Sequence, residues 1–142
     1  MKVFIAGIMQ GSRMDRYIDD QDYRRIIADA LADHRIDVEV LDPNELHPNG
    51  VDYDDATAKA TLLEMANLAS EADLLVAYVP KASMGTALEM WKAFEANVPV
   101  ITISPMAANW VIRHLSSVVL PDLEAFRGWV INGEFDKLMK ID

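Results

Sequence analysis

Residues 73–103 read DLLVAYVPKASMGTALEMWKAFEANVPVITI, and this stretch decides the fold. Residues 73–79 are apolar almost without a break, as in a strand covered on both faces. The segment PKASMG then supplies small and turn-forming residues. From 86 to 97 the apolar positions return at helical spacing, and 98–103 form a second apolar run bounded by turn residues. A strand, a helix and another strand in this order imply a right-handed crossover between parallel strands. Glu89 is the unusual residue in the stretch. It is a carboxylate on the helix that follows the small-residue loop.

The same alternation extends in both directions. Residues 2–8 form a first strand, 20–34 a helix with Tyr23, Ile26, Ile27 and Leu31 on one face, and 37–41 a short strand. A loop, DPNELHPNGVDYDD (42–55), leads into a helix over 56–71, with Asp54 and Asp55 at its start. Beyond the central stretch lie a short helix at 109–116, a strand at 118–120 and a helix over 126–139 that breaks near Gly133. The pattern predicts a single α/β domain over residues 1–142: a flavodoxin-like, Rossmann-like five-stranded parallel sheet, order 2-1-3-4-5, with helices on both faces. Such sheets bind ligands outside the carboxyl ends of the strands where the winding reverses, here between the first and third strands. The loops at that point are GIMQGSRMDRY (7–17) and PKASMG (80–85).

Composition narrows the function. The chain carries 23 acidic and 13 basic residues, a net charge of −10, which disfavours DNA or RNA polymers as partners. No apolar run reaches the length of a membrane span, and the opening MKVFIAGI reads as a strand, so a cytoplasmic protein without a membrane partner is expected. The absence of cysteine fits a reducing compartment. His34, His47 and His114 show no ligand spacing, and neither a metal nor a cofactor is expected.

Each candidate site residue has a structural reading beside its functional one. Thr86-Ala-Leu-Glu89 has the form of a capping box, with Thr86 as N-cap. Equally, a carboxylate in a first helical turn, kept ionised by the helix dipole, is placed to attack an electrophilic carbon. The loop residues Gly7, Gly11, Ser12 and Arg13 offer close backbone approach, a hydroxyl and a guanidinium fork for a phosphate; otherwise they form a solvated polar loop. They match neither a Walker loop nor a dinucleotide fingerprint. Asn109 is an N-cap or a site residue. Trp91 and Trp110 are core or interface aromatics, and Met9, Met84, Met90 and Met106 either fill gaps or line an apolar base site.

Taken together, the segment EADLLVAYVPKASMGTALEMWKAFEANVPVITI resembles the nucleoside 2-deoxyribosyltransferase family, which includes the 2-deoxynucleoside 5-phosphate N-hydrolases. The matching positions are Asp73, Ser83, Gly85, Thr86 and Glu89, and the first strand with its Gly/Ser/Arg loop is similar too. The resemblance runs from Lys2 to about Ser116. It implies cleavage or transfer at the N-glycosidic bond of a nucleoside or its 5-monophosphate, with Glu89 as nucleophile and Ser83 orienting Glu89 or the sugar. It also implies substrate contacts from Gly7, Gly11, Ser12, Arg13 and Gly85, and a homo-oligomer in which Asn109 reaches a neighbouring subunit's site.

Two positions depart from the family pattern. Phe4 stands where its hydrolases often have Tyr, and Met65 stands where an acidic residue is usual. The general acid would then be Glu64 or an acidic residue of the 42–55 loop. The same fold also accommodates a non-catalytic nucleotide-sensing module in which Glu89 is only a cap. An FMN-binding domain would want a Ser/Thr-rich phosphate loop after the first strand, which this chain lacks.

Overall fold

A computed structural model describes residues 1–11, 13–34 and 37–141. Five strands form one parallel sheet in the order β2-β1-β3-β4-β5: β1 Lys2–Gly7, β2 Glu39–Leu41, β3 Leu74–Tyr78, β4 Val100–Ile103 and β5 Val118–Leu120. Val3 pairs with Leu74 and Gly7 with Tyr78, so the two central strands end level and their following loops emerge side by side. The helices are α1 Asp22–His34, α2 Pro43–Leu46, α3 Asp55–Glu71, α4 Met84–Glu95, α5 Trp110–Leu115, α6 Leu123–Ile131 and α7 Glu134–Met139, with a 3-10 turn at Gly50–Asp52.

The period of two along each strand divides the core into two layers. Val3, Ile5, Leu74 and Val76 pack with Ile27, Leu31, Phe126 and Val130, which fixes α1 and α6 on one face. Phe4, Ala6, Leu75 and Ala77 pack with Met65, Ala69, Met90, Ala93 and Ile112, which fixes α3, α4 and α5 on the other. This is the doubly wound sheet that the sequence pattern predicts. Phe4 is fully buried in the second layer.

Four local readings change. The 42–55 loop contains α2, started by Asp42 as N-cap with Pro43 in the first turn. The helix expected over 126–139 begins earlier, at Leu123; the break expected near Gly133 is present, with Gly133 at φ 77°, a conformation glycine adopts without a Cβ penalty. Arg24 lies on the buried face of α1, where the apolar pattern had Ile26, which is only partly buried. Trp91 and Trp110 are exposed and are not core residues.

A further change concerns the start of α4. The N-cap is Ser83, not Thr86: its Oγ accepts from the Thr86 amide at 3.3 Å and shares a hydrogen bond of 2.9 Å with the Thr86 hydroxyl. The helix therefore begins three residues earlier than the capping-box reading places it. That moves Glu89 into the second turn, where no free amide remains for it to cap.

Candidate active site

Where β1 and β3 end, the loop after β1, the segment after β2, α3 and the start of α4 enclose a cavity of about 500 Å³. That size lies within the roughly 300–1,000 Å³ range of small-molecule sites. Gly7, Gly11, Ser83, Gly85 and Glu89 all line it, so five of the expected site residues come together at the switch point. Among the described residues that line it, Glu89 is the one carboxyl group.

Glu89 is partly buried and makes no hydrogen bond or ion pair with the described residues. Burial pushes its carboxyl up to about 8, and the Arg24 guanidinium opposes the shift only in part. The expectation that the helix dipole keeps this group ionised is thus corrected. In the second turn the dipole is weak, and desolvation dominates. The ionised form, when it arises, has no protein partner to quench it.

The glycines have different structural reasons. A Cβ at Gly7 would run into the Tyr23 ring, so Gly7 lets that ring pack against the end of β1. Gly11 has φ +58°, and Gly85 has open space where its side chain would be. The open space at Gly85 leaves the cavity wall thin there, whereas a Cβ at Gly11 would press on Ile8 at 3.1 Å. Beneath this region lies a buried ion pair: Arg24 donates to Asp42 at 2.9 Å, to the Ile5 carbonyl at 2.8 Å and to Gln21 at 2.7 Å. Asp42 also caps α2 through the Asn44 amide. The pair ties α1, β1 and the 42–55 segment into one frame. Its signal in the sequence is an arginine on the apolar face of a helix.

Other expected residues stand apart from Glu89. Arg13 donates through Nε and Nη2 to both oxygens of Asp15, each at 2.8 Å, and through Nη1 to Asp19 at 3.4 Å. Lys81 pairs with the other oxygen of Asp19 at 2.9 Å. Arg13 lines a separate depression beside Tyr23 and Tyr78. Ser12 lies outside the described residues. Asn109 caps α5, accepting from the Val111 and Ile112 amides, and lines a neighbouring cavity of about 330 Å³ that shares Gly11, Ser83 and Met84 with the first. Met9, Met65 and Met84 line the Glu89 cavity, while Met90 and Met106 line its neighbour. Glu64 lines neither cavity.

Sequence reasoning missed His47, Tyr53 and Lys59, which also line the Glu89 cavity. His47 Nδ1 and the Tyr53 hydroxyl share a hydrogen bond of 2.9 Å, and His47 Nε2 lies 3.6 Å from a Glu64 oxygen. No local motif marks them, because a turn and a helix separate the three partners in the chain.

The fold and cavity define a class: a doubly wound parallel domain with a lone, desolvated carboxyl group at its switch point. Known structures share this architecture. The 2-deoxyribosyltransferase of the psychrotolerant bacterium Bacillus psychrosaccharolyticus superposes with a TM-score of 0.65 at 16% identity, over 89% of this chain and 90% of that one. A conserved protein from Enterococcus faecalis V583 superposes with a TM-score of 0.60 at 17% identity, over 93% and 98%. No family model and no curated protein sequence matches the chain.

Proposed function

We propose that the chain, as one domain over residues 1–142, is an N-glycosidase or glycosyltransferase of the nucleoside 2-deoxyribosyltransferase kind, with Glu89 as its nucleophile. The observation that carries this reading is the unpartnered Glu89 carboxyl at the floor of a nucleoside-sized cavity. A structural carboxylate would be capped or paired; this one is kept desolvated, which favours functional use. The likeness in fold to a 2-deoxyribosyltransferase supports the substrate class.

The chemistry follows from an oxocarbenium-like transition state. Ionised Glu89 approaches the anomeric carbon, the bond to the base breaks, and a glycosyl ester forms on the carboxylate. Water or a second base then releases the sugar. Gly85 leaves room for the ring, and the Ser83 hydroxyl stands on the same wall to meet a sugar hydroxyl. The bidentate hold of Asp15 on Arg13 favours a nucleoside over its 5-monophosphate, since Arg13 would have to exchange a carboxylate for the phosphate.

The reading includes self-association. Leu62 and Leu63 on α3, Leu88, Trp91 and Phe94 on α4, and Trp110 and Val111 on α5 are all exposed, and Trp91 stacks with Phe94. A second copy covering these helices would bring its Asn109 region towards the paired cavities, and light scattering at micromolar concentration should show a dimer or larger.

Incubation with a panel of nucleosides and 5-monophosphates, with free base read by chromatography, tests the function. A 2-fluoro-2-deoxynucleoside should leave a sugar adduct on Glu89 visible by mass spectrometry. Binding without base release from any member of the panel would make the chain a sensing module instead.

A further inference from the structure

Breaking an N-glycosidic bond leaves an electron pair on the base, and an ordinary base departs only if a proton reaches it. Met65, buried and apolar, occupies the α3 wall of the cavity and gives none. Glu64 lines neither cavity. None of the five acidic residues of the 42–55 segment lines the cavity, and three have other partners: Asp42 on Arg24, Asp52 on Arg16, and Asp54 as the α3 N-cap. Besides Glu89, the titratable groups lining the cavity are His47, Tyr53 and Lys59.

Of these, His47 and Tyr53 are built as a unit. The Tyr53 hydroxyl and His47 Nδ1 are 2.9 Å apart, and the two rings meet edge to face at 90°. A Glu64 oxygen lies 3.6 Å from Nε2, on the side of the ring away from Tyr53, where it can hold the imidazole's orientation. Asp42, locked to Arg24, caps the helix that ends at His47, so the pair stands on a fixed base. Lys59 has no comparable partner and is exposed on α3.

We propose that the Tyr53 hydroxyl is the proton donor to the departing base, resupplied by His47, with Glu64 positioning His47. This rests on the glycosidic reading of Glu89. In the first half-reaction a Glu89 oxygen bonds to the anomeric carbon and the C–N electron pair goes to the base. The Tyr53 proton moves to a base nitrogen, and the His47 Nδ1 proton replaces it on the tyrosine oxygen. In the second, water or an acceptor base attacks the anomeric carbon and Glu89 leaves as a carboxylate. The proton lost by the attacking group returns through Tyr53 to His47, which restores the starting state.

The test compares two leaving groups. A normal purine deoxynucleoside needs the proton; an N7-methylated purine deoxynucleoside already carries positive charge and releases a neutral base without one. Tyr53→Phe and His47→Gln should slow release from the normal substrate by about 100-fold or more in kcat. Release from the methylated substrate should stay within about fivefold of wild type, since the assisted step is bypassed. Thermal melts establish that each variant is folded. Equal slowing of both substrates would assign the pair a structural role and overturn the proposal, as would unchanged release of both. The same selective loss in Lys59→Met, with Tyr53→Phe unaffected, would move the acid to Lys59. Failure of the Glu89 reading looks different: the wild type would release base from neither substrate and form no adduct with the fluorinated analogue.

Discussion

Arg13 stands on the loop after β1 and Glu89 in the second turn of α4, the helix that follows β3, and the sequence marks both as candidate site residues. The fold treats them in opposite ways. Arg13 spends its fork on Asp15 and Asp19, and those carboxyl groups are held below the usual carboxylate range, Asp15 by Arg13 and Asp19 by Lys81 first and Arg13 after it. Glu89 has no such partner, and burial lifts it to about 8. A charge whose partners lie in its own loop is satisfied without a ligand. A carboxyl group that is desolvated and left alone is in an arrangement that costs stability, and a bound cationic transition state would relieve it.

The largest effect should come from removing the charge at Glu89. Glu89→Gln keeps the shape but removes the nucleophile, and base release should fall by about 1,000-fold or more. The cap reading predicts unchanged turnover, and the start of α4 at Ser83 already takes the capping role from this residue. A fully active Glu89→Gln would erase the contrast with Arg13.

The same variant should be more stable than wild type, and the gain should depend on pH. The Glu89 pKa in the folded chain, about 8, lies above the ordinary 4.5, so the unfolded chain loses this proton first as pH rises. The folded state is then penalised progressively between about pH 4.5 and 8. Relative to wild type, Glu89→Gln should therefore gain on the order of 4–5 kcal/mol across that window. Below pH 4 the difference should be small. Urea melts at pH 4, 6 and 8 measure it, and a gain that shrinks with rising pH would mean the carboxyl is not desolvated. In wild type, kcat/KM should rise with pH through about 8 as the free enzyme's Glu89 ionises.

A smaller effect is expected at Gly7. A Cβ there meets the Tyr23 ring, itself hydrogen-bonded to the Ile8 carbonyl. Gly7→Ala should cost about 1–3 kcal/mol in a thermal or urea melt through overpacking. A neutral result would show that Tyr23 can move and that this end of β1 is softer than its packing suggests.

How much of this was legible in the sequence differs between the sheet and the site. The strands were readable because all but β2, a short alternating segment, are continuous apolar runs, and their alternation with helices fixed the order of the sheet. The start of α4 was misread because Thr86 and Glu89 have capping-box spacing, while Ser83, three residues earlier, competes for the same role and holds Thr86 by two hydrogen bonds. The cavity's glycines and Glu89 were found from topology and the family resemblance together. Arg24 was hidden by an amphipathic pattern that predicts apolar neighbours on its face. His47 and Tyr53 were invisible because their pairing depends on how α2 and the 3-10 turn fold the 42–55 segment, which no period of two or 3.6 reports.

The smallest effect should be at Arg13. Its closest partner, Asp15, is exposed and Asp19 only partly buried, and ion pairs near the surface add little to stability. If the substrate is a nucleoside, Arg13→Ala should leave its turnover within about threefold of wild type, because the side chain lines a different depression from Glu89. The informative arm uses the 5-monophosphate. A phosphate can draw Arg13 away from Asp15 only by offering the fork an equally good bidentate partner. Wild type should then show no preference for the monophosphate, and Asp15→Asn, which weakens the competing carboxylate, should create one. A strong monophosphate preference in wild type that Arg13→Ala abolishes would place Arg13 beside Glu89 as a site residue, and a partner within the same loop would no longer separate structural charges from functional ones in this fold.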